Sequence, residues 1–169
     1  NANGNYDVVL EIEDVNGCRA TLARTSYVRL SNPVADFIVD ATISCPGVTL
    51  NFSDASTPDT VLTQWVWDFG DGNTATGANV SHVYTNTGTY TVSLTITNIL
   101  GCEDVVVKNA FIDVLAAPTA FFTPIDSQEC TPLVTGFNEL STPGDGALVG
   151  WAWDLGNGNT SNSQSPTGI

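Results

Sequence analysis

One recurrence constrains this chain more than any other feature: three unrelated markers return at a spacing of 84 to 86 residues. WVWDFGDGNT at 65–74 and WAWDLGNGNT at 151–160 place Trp67 and Trp153 86 positions apart. The CP and CTP pairs place Cys45 and Cys130 85 apart. GNYDVVLEIEDVNGC (4–18) and GTYTVSLTITNILGC (88–102) place Cys18 and Cys102 84 apart. An internal period decides architecture before local structure does. The phase predicts a window on a longer array, because Asn1 aligns with Thr85 and Ile169 with Val83. Boundaries are expected near Pro33 and Pro118, in short stiff linkers. Residues 1–33 then form the C-terminal part of one repeat, 34–118 a complete repeat, and 119–169 the N-terminal part of a third.

Within a repeat the apolar residues alternate with polar ones, the mark of half-buried strands. Tyr90, Val92, Leu94 and Ile96 take one face and Thr91, Ser93, Thr95 and Thr97 the other. Tyr6, Val8, Leu10 and Ile12 repeat the pattern opposite Asp7, Glu11 and Glu13. Val48, Leu50 and Phe52 predict a second strand, Trp65, Trp67 and Phe69 a third, and the stretch around His82 and Tyr84 another. Residues 35–39 and 104–114 supply the first and last. Gly, Asn, Asp and Pro fill the gaps with turn chemistry. About seven short strands in some 85 residues predict an all-β, immunoglobulin-like antiparallel sandwich, repeated in tandem, with Trp67 between its sheets.

Composition narrows the partners. Four Lys+Arg stand against eighteen Asp+Glu, a formal net charge of −14. Phosphate neutralisation needs clustered Lys and Arg, so nucleic acid and anionic membrane surfaces are excluded as partners. No stretch approaches the ~20 apolar residues of a membrane span, so no membrane insertion by this segment is expected. The many Thr, Ser, Asn and Gly residues with a single Lys and no Met read as extracellular or cell-surface. The acidity serves solubility and self-repulsion, or alternatively recruits calcium.

WDFGDG (67–72), VSHVY (80–84) and GTYTVSLTITN (88–98) together resemble the polycystic kidney disease (PKD) domain. The resemblance covers 34–115 fully, and 1–32 and 119–169 as the back and front of neighbouring copies. It implies a spacer, adhesion or filament module. The paired Cys and Gly-Cys hairpins further resemble PKD arrays of gliding and adhesin proteins of Bacteroidota-type bacteria, which implies type IX secretion. The third copy departs from the pattern: Asn157 stands for Asp71, Leu155 for Phe69, and Gly168 for His82. A catalytic or metal role at those positions is correspondingly weakened.

The chemistry-bearing residues read mainly as structural. Gly70 and Gly72 permit positive φ, and Asp68 can close the turn by accepting backbone N–H groups. Asp68 and Asp71 are the candidate calcium ligands. Trp65, Trp67, Trp151 and Trp153 share the core-facing parity, the alternative being sugar stacking. Tyr90, Trp153 and Asp154 complete the structural set. His82 is the sole histidine, too little for a triad or zinc site, and no hydrolase or phosphate-binding motif is present. No enzyme activity and no catalytic residue is expected. Lys108, the sole lysine, would be needed for a Lys–Asn isopeptide crosslink. Asn51, Asn79 and Asn159 head N-x-S patterns, Asn51 inside a strand. Asp59-Thr60-Val61 resembles a Bacteroidota O-glycosylation motif, with Thr60 as acceptor.

Two Cys per period in an extracellular repeat suggest disulfides. Cys45 belongs to the first loop and Cys102 to the last hairpin, which a sandwich places at opposite poles. A strand spans roughly 20 Å, whereas bonded Cα atoms lie within about 7 Å. Pairing between repeats, Cys45 with an equivalent of Cys18 and Cys102 with an equivalent of Cys130, is therefore favoured over Cys45–Cys102, with free thiols as the third option. The expected function is a structural spacer of an adhesin or extracellular filament, a stiff rod whose units contact their neighbours. Its partners would be neighbouring repeats and surface glycans or proteins. The alternative is an accessory carbohydrate- or protein-binding module of a secreted degradative enzyme.

Overall fold

The computed structural model describes residues 3–125 and 135–167, and every regular element among them is a β-strand. The chain falls into two units, each treated by itself. One comprises Asn1–Thr42, Thr49–Val83 and Thr89–Ile112; the other comprises Ile43–Val48, Tyr84–Gly88 and Asp113–Ile169. Among the described residues no helix is long and apolar enough to cross a membrane.

In the first unit, β1 (Gly4–Glu13) and β2 (Arg19–Leu30) form an antiparallel hairpin. β3 (Phe37–Val39) opens the sandwich. β4 (Ile43–Ser44), which belongs to the second unit, pairs in parallel with Asp113 and Val114. There follow β5 (Thr49–Asp54), β6 (Leu62–Asp68), β7 (Thr74–Thr76), β8 (Asn79–Val83), β9 (Gly88–Asn98) and β10 (Glu103–Val114). One sheet has the order β3-β5-β8 and the other β4-β10-β9-β6-β7. This is the immunoglobulin-like sandwich that the alternation predicts.

The core forms where the inward residues of the two sheets meet. Phe37, Leu50 and Phe52 come from the first sheet, and Trp67, Val92, Leu94, Ile96 and Ile112 from the second; all are buried. Trp67 is 0% exposed and its ring lies 5.3 Å from Phe37 and 5.9 Å from Phe52. Each such side chain contributes about 1.5–3 kcal/mol by leaving water. Two details depart from the expected strands. Val48 lies outside β5 and is exposed, and Trp65 is only half-buried, because its Nε1 donates to Asp54 Oδ2 at 2.7 Å near the sheet margin.

The second unit carries β11 (Phe122–Pro124) paired with β12 (Phe137–Glu139), and β13 (Trp153–Asp154) paired with β14 (Thr160–Ser161). Phe122, Phe137 and Trp153 form a ring cluster with centroids 5.1–5.6 Å apart. These residues are the period equivalents of Phe37, Phe52 and Trp67.

The β1–β2 hairpin matches β9–β10 in backbone detail. Gly17 and Gly101 have φ of 83° and 79°, and non-glycine residues with positive φ occur at Ser26 (50°) and Ala110 (49°). The two non-glycine positions lie 84 apart, like the cysteines. Such a conformation costs roughly 1–2 kcal/mol in an L-residue. It is offset by a side chain of the partner strand, since Ser26 N donates to Asp7 Oδ1 and Ala110 N to Thr91 Oγ1. The hairpin loops are closed in the same way. Asp14 Oδ1 accepts from Asn16 and Cys18, and Asn98 Oδ1 accepts from Leu100 and Cys102.

Candidate functional site

The WDFGDG turn (67–72) concentrates Gly and acidic residues; the structure places it between β6 and β7 and brings His82 of β8 against it. Asp68 Oδ1 accepts from Gly70 N at 2.8 Å. Asp71 Oδ1 accepts from Asn73 N at 3.0 Å, and its Oδ2 accepts from Asn73 Nδ2 at 2.9 Å. His82 Nε2 lies 2.8 Å from the same Oδ2. An ionised carboxylate only accepts, so Nε2 carries the shared proton. Phe69 packs flat on His82 with centroids 4.1 Å apart. Gly70 and Gly72 have φ of 78° and 91°, and a Cβ on Gly70 would sit 2.3 Å from the Thr91 carbonyl oxygen. Glycine is thus required twice at position 70, for conformation and for space.

Burial of the Asp71 carboxylate pushes its pKa up. The bonds from the Asn73 side chain and backbone and from His82 outweigh that and hold it below the ordinary value of 3.8. One oxygen of Asp68 and both oxygens of Asp71 thus accept bonds at the turn. Among the described residues no group of three or more His, Cys, Asp or Glu side chains converges as a metal site.

The turn at 153–160 repeats this arrangement without the second carboxylate. Asp154 Oδ1 accepts from Gly156 N, and Asn157 Oδ1 accepts from Asn159 N at 2.9 Å. Trp153 Nε1 donates to Ser163 O and Trp67 Nε1 to Gly77 O, both at 2.8 Å. An amide oxygen therefore closes the turn as a carboxylate does, and the charge of Asp71 serves its bond to His82.

The remaining sequence candidates are dispersed. Tyr90 is half-buried at the start of β9, and Thr60 is half-buried between β5 and β6. Lys108 Nζ pairs with Asp36 Oδ1 at 2.8 Å and donates to Phe37 O at 2.6 Å, above the Phe37 and Phe111 rings. The bond from Lys108, then the Phe37 N–H, lower the Asp36 pKa. Cys18 and Cys45 are exposed free thiols, and Cys102 is a half-buried one. Cys130 lies outside the described residues. Cys45 follows β4, which pairs with the last two residues of β10, whereas Cys102 precedes β10.

A further constellation joins the linker to the loop before β6. Asp59 accepts from Ser31 Oγ at 2.8 Å and Asn32 N at 2.7 Å, and the buried Asn98 donates Nδ2 to Ser31 Oγ. In the other unit Asp145, 86 positions on, accepts from Ala116 N. The only sequence signal was the recurrence of STPD (56–59) as STPGD (141–145).

Residues 30–114 match the family described as PKD domain. The chain is 30% identical over 152 residues to the pre-pro-metalloprotease PrtV of Vibrio cholerae, covering 88% of this chain but 16% of that protein. It is 54% identical over 39 residues to collagenase ColA of Bacillus cereus, covering 23% of this chain and 4% of that one. Among solved structures, the PKD1 domain of the V. cholerae metalloprotease PrtV is 31% identical, covering 48% of this chain and 98% of that domain, with a TM-score of 0.42. The chain thus spans less than a fifth of the length of the curated relatives it matches.

Proposed function

The chain belongs to the PKD domain family, and from that premise we propose that it is a non-catalytic accessory module of a secreted degradative enzyme, acting outside the cell on a protein polymer. The non-catalytic part is carried by one observation: the polar groups of the WDFGDG turn bond to one another and to the turn backbone. The parent enzyme class is supported by relatives named as a metalloprotease and a collagenase. They favour this reading over the adhesin spacer that the sequence alone suggested. The test is co-sedimentation of the purified chain with fibrillar collagen, with cellulose and chitin alongside. Retention on collagen without release of soluble peptide supports the reading. Hydrolysis of any polymer, or retention on none, overturns it.

A second reading, a stiff spacer between neighbouring domains, is favoured by the linker bonds. Asp59 in one unit and Asp145 in the other each hold a linker N–H by a carboxylate. Charge-assisted bonds of this kind are the stronger class. Disulfides between repeats, through Cys45 and Cys102, would stiffen such a rod further. Recovery of a Cys45–Cys102 peptide from a non-reducing digest would eliminate that clamp.

A further inference from the structure

Both linkers of the chain are stitched to a loop that carries the same residues. Val34 and Thr57 exchange backbone N–H···O bonds of 3.1 and 2.8 Å, and Thr119 and Thr142 exchange two of 3.0 Å. Thr57 lies in STPD (56–59), between β5 and β6, and Thr142 in STPGD (141–145), between β12 and β13. Each of these segments ends on an aspartate that reaches back to the linker. Asp59 Oδ2 accepts from Asn32 N at 2.7 Å, and Asp145 Oδ2 accepts from Ala116 N. Asn32 and Ala116 are 84 positions apart. At the second linker Asp145 N also donates to Ala116 O, and a Cβ on Gly144 would lie 1.8 Å from that oxygen, so loop and linker backbones are in direct contact. At the first linker another side chain is committed. Asn98, 2% exposed, closes the β9–β10 loop with Oδ1, and its Nδ2 donates to Ser31 Oγ, which donates in turn to Asp59 Oδ1. Asp14, its period equivalent, closes the β1–β2 loop with a carboxylate. Loop closure therefore asks only for an acceptor, and the amide of Asn98 adds a donor that a carboxylate lacks.

We propose that Asp59 and Asn98 are positioning residues that latch the first linker and fix the direction in which the β1–β2 hairpin leaves the sandwich, with Asp145 holding the second linker in the same way. One bridged residue, Val34, would leave the chain free to pivot about it. The carboxylate adds a second attachment at Asn32, on the other side of the buried Pro33, whose φ is fixed by its ring. Attachments on both sides of a residue that cannot turn remove the pivot. Ala116 and Thr119 flank Pro118 in the same manner. Bonds to an ionised acceptor are the stronger class, and the buried Asn98 donor would be costly to leave unmade. The latch deepens the stiff-spacer reading and rests on it for its purpose.

The test is the distance distribution between spin labels at Thr21→Cys on β2 and Gln64→Cys on β6, both exposed, in the 169-residue chain with its four native cysteines replaced by serine. With the latch intact the distribution is narrow. Asp59→Ala removes both linker bonds. It should broaden the distribution and speed hydrogen exchange at Asn32 N by about 10-fold or more, as expected for a lost bond to a charged acceptor, while the sandwich keeps its unfolding midpoint. Asn98→Asp keeps the loop acceptor, as Asp14 shows, but loses the donor to Ser31 and sets a second carboxylate against Asp59, so it too should broaden the distribution. Asp14→Asn makes the reverse exchange in a loop that holds no linker and should leave the width unchanged. A distribution that stays narrow in Asp59→Ala overturns the latch and leaves the spacer reading standing. A lowered midpoint without broadening makes Asp59 a residue of fold stability alone and likewise overturns the latch. A broad distribution before any change at Asp59 or Asn98 overturns the latch and the stiff spacer together.

Discussion

The β1–β2 and β9–β10 hairpins have the same alternation, the same loop closure and the same left-handed residue, yet opposite surroundings. Every residue of β1 is exposed, whereas every second residue of β9 from Val92 to Asn98 is buried. The hairpin backbone is thus set locally, by Asp14 or Asn98 holding the loop and Asp7 or Thr91 holding the left-handed residue of the partner strand. Burial is set by whether a second sheet lies above it. A hairpin alone is marginal in water, so its apolar face contributes to stability only once covered.

The sharpest way to break this comparison is to shorten the same side chain in both hairpins. Leu94→Ala removes a fully buried side chain beside Trp67 on the neighbouring strand and is expected to cost about 2–5 kcal/mol. Leu10→Ala, at the equivalent exposed position, is expected to stay within about 0.5 kcal/mol. Urea unfolding at low protein concentration, followed by tryptophan fluorescence, measures both. Equal losses would mean that β1 is already covered within a single copy.

A smaller contrast lies in the two turns. Gly70 and Gly156 have similar φ, 78° and 75°. Alanine at 156 meets nothing within 4 Å and is expected to cost only the conformational term, about 1–2 kcal/mol. Alanine at 70 adds a collision with the Thr91 carbonyl and should cost more. Thermal unfolding of Gly70→Ala and Gly156→Ala reads the two costs separately, and equal losses would mean that the Thr91 carbonyl yields to the added methyl.

These contrasts show which parts of the molecule a sequence encodes openly. Alternation placed Leu50, Phe52, Val92, Leu94 and Ile96 on inward faces, and the paired glycines located the turn, because both leave periodic or compositional traces. Trp65 shared that parity but sits at the margin, since Asp54 holds its indole N–H. The bonds from Asp59 to Ser31 and Asn32, and from Asn98 to Ser31, were not legible. A carboxylate accepting from a backbone nearly thirty positions away has no local signature. Nor was the parallel contact of β4 with the end of β10, which rests on two residues. Alternation names the face to be buried and is silent about what buries it, and so β1 and β9 looked alike.

The finest contrast is between Asp71 and Asn157, which accept the same turn N–H with and without an ionisable group. The folded-state pKa of Asp71 lies below its ordinary 3.8. Its contribution is therefore complete above that value and is lost as pH falls through the folded pKa. Asp71→Asn keeps the bond from Asn73 N, as Asn157 shows, and loses the charge on His82, at about 1 kcal/mol near neutral pH. On acidification the wild type should lose that advantage and converge on the variant, since a protonated Asp71 is no better an acceptor than an amide. Thermal unfolding of the pair from pH 6 to pH 2 reads the difference. A gap that stays constant to the acid limit would mean that the Asp71 charge does nothing for His82 and that the two turns are equivalent.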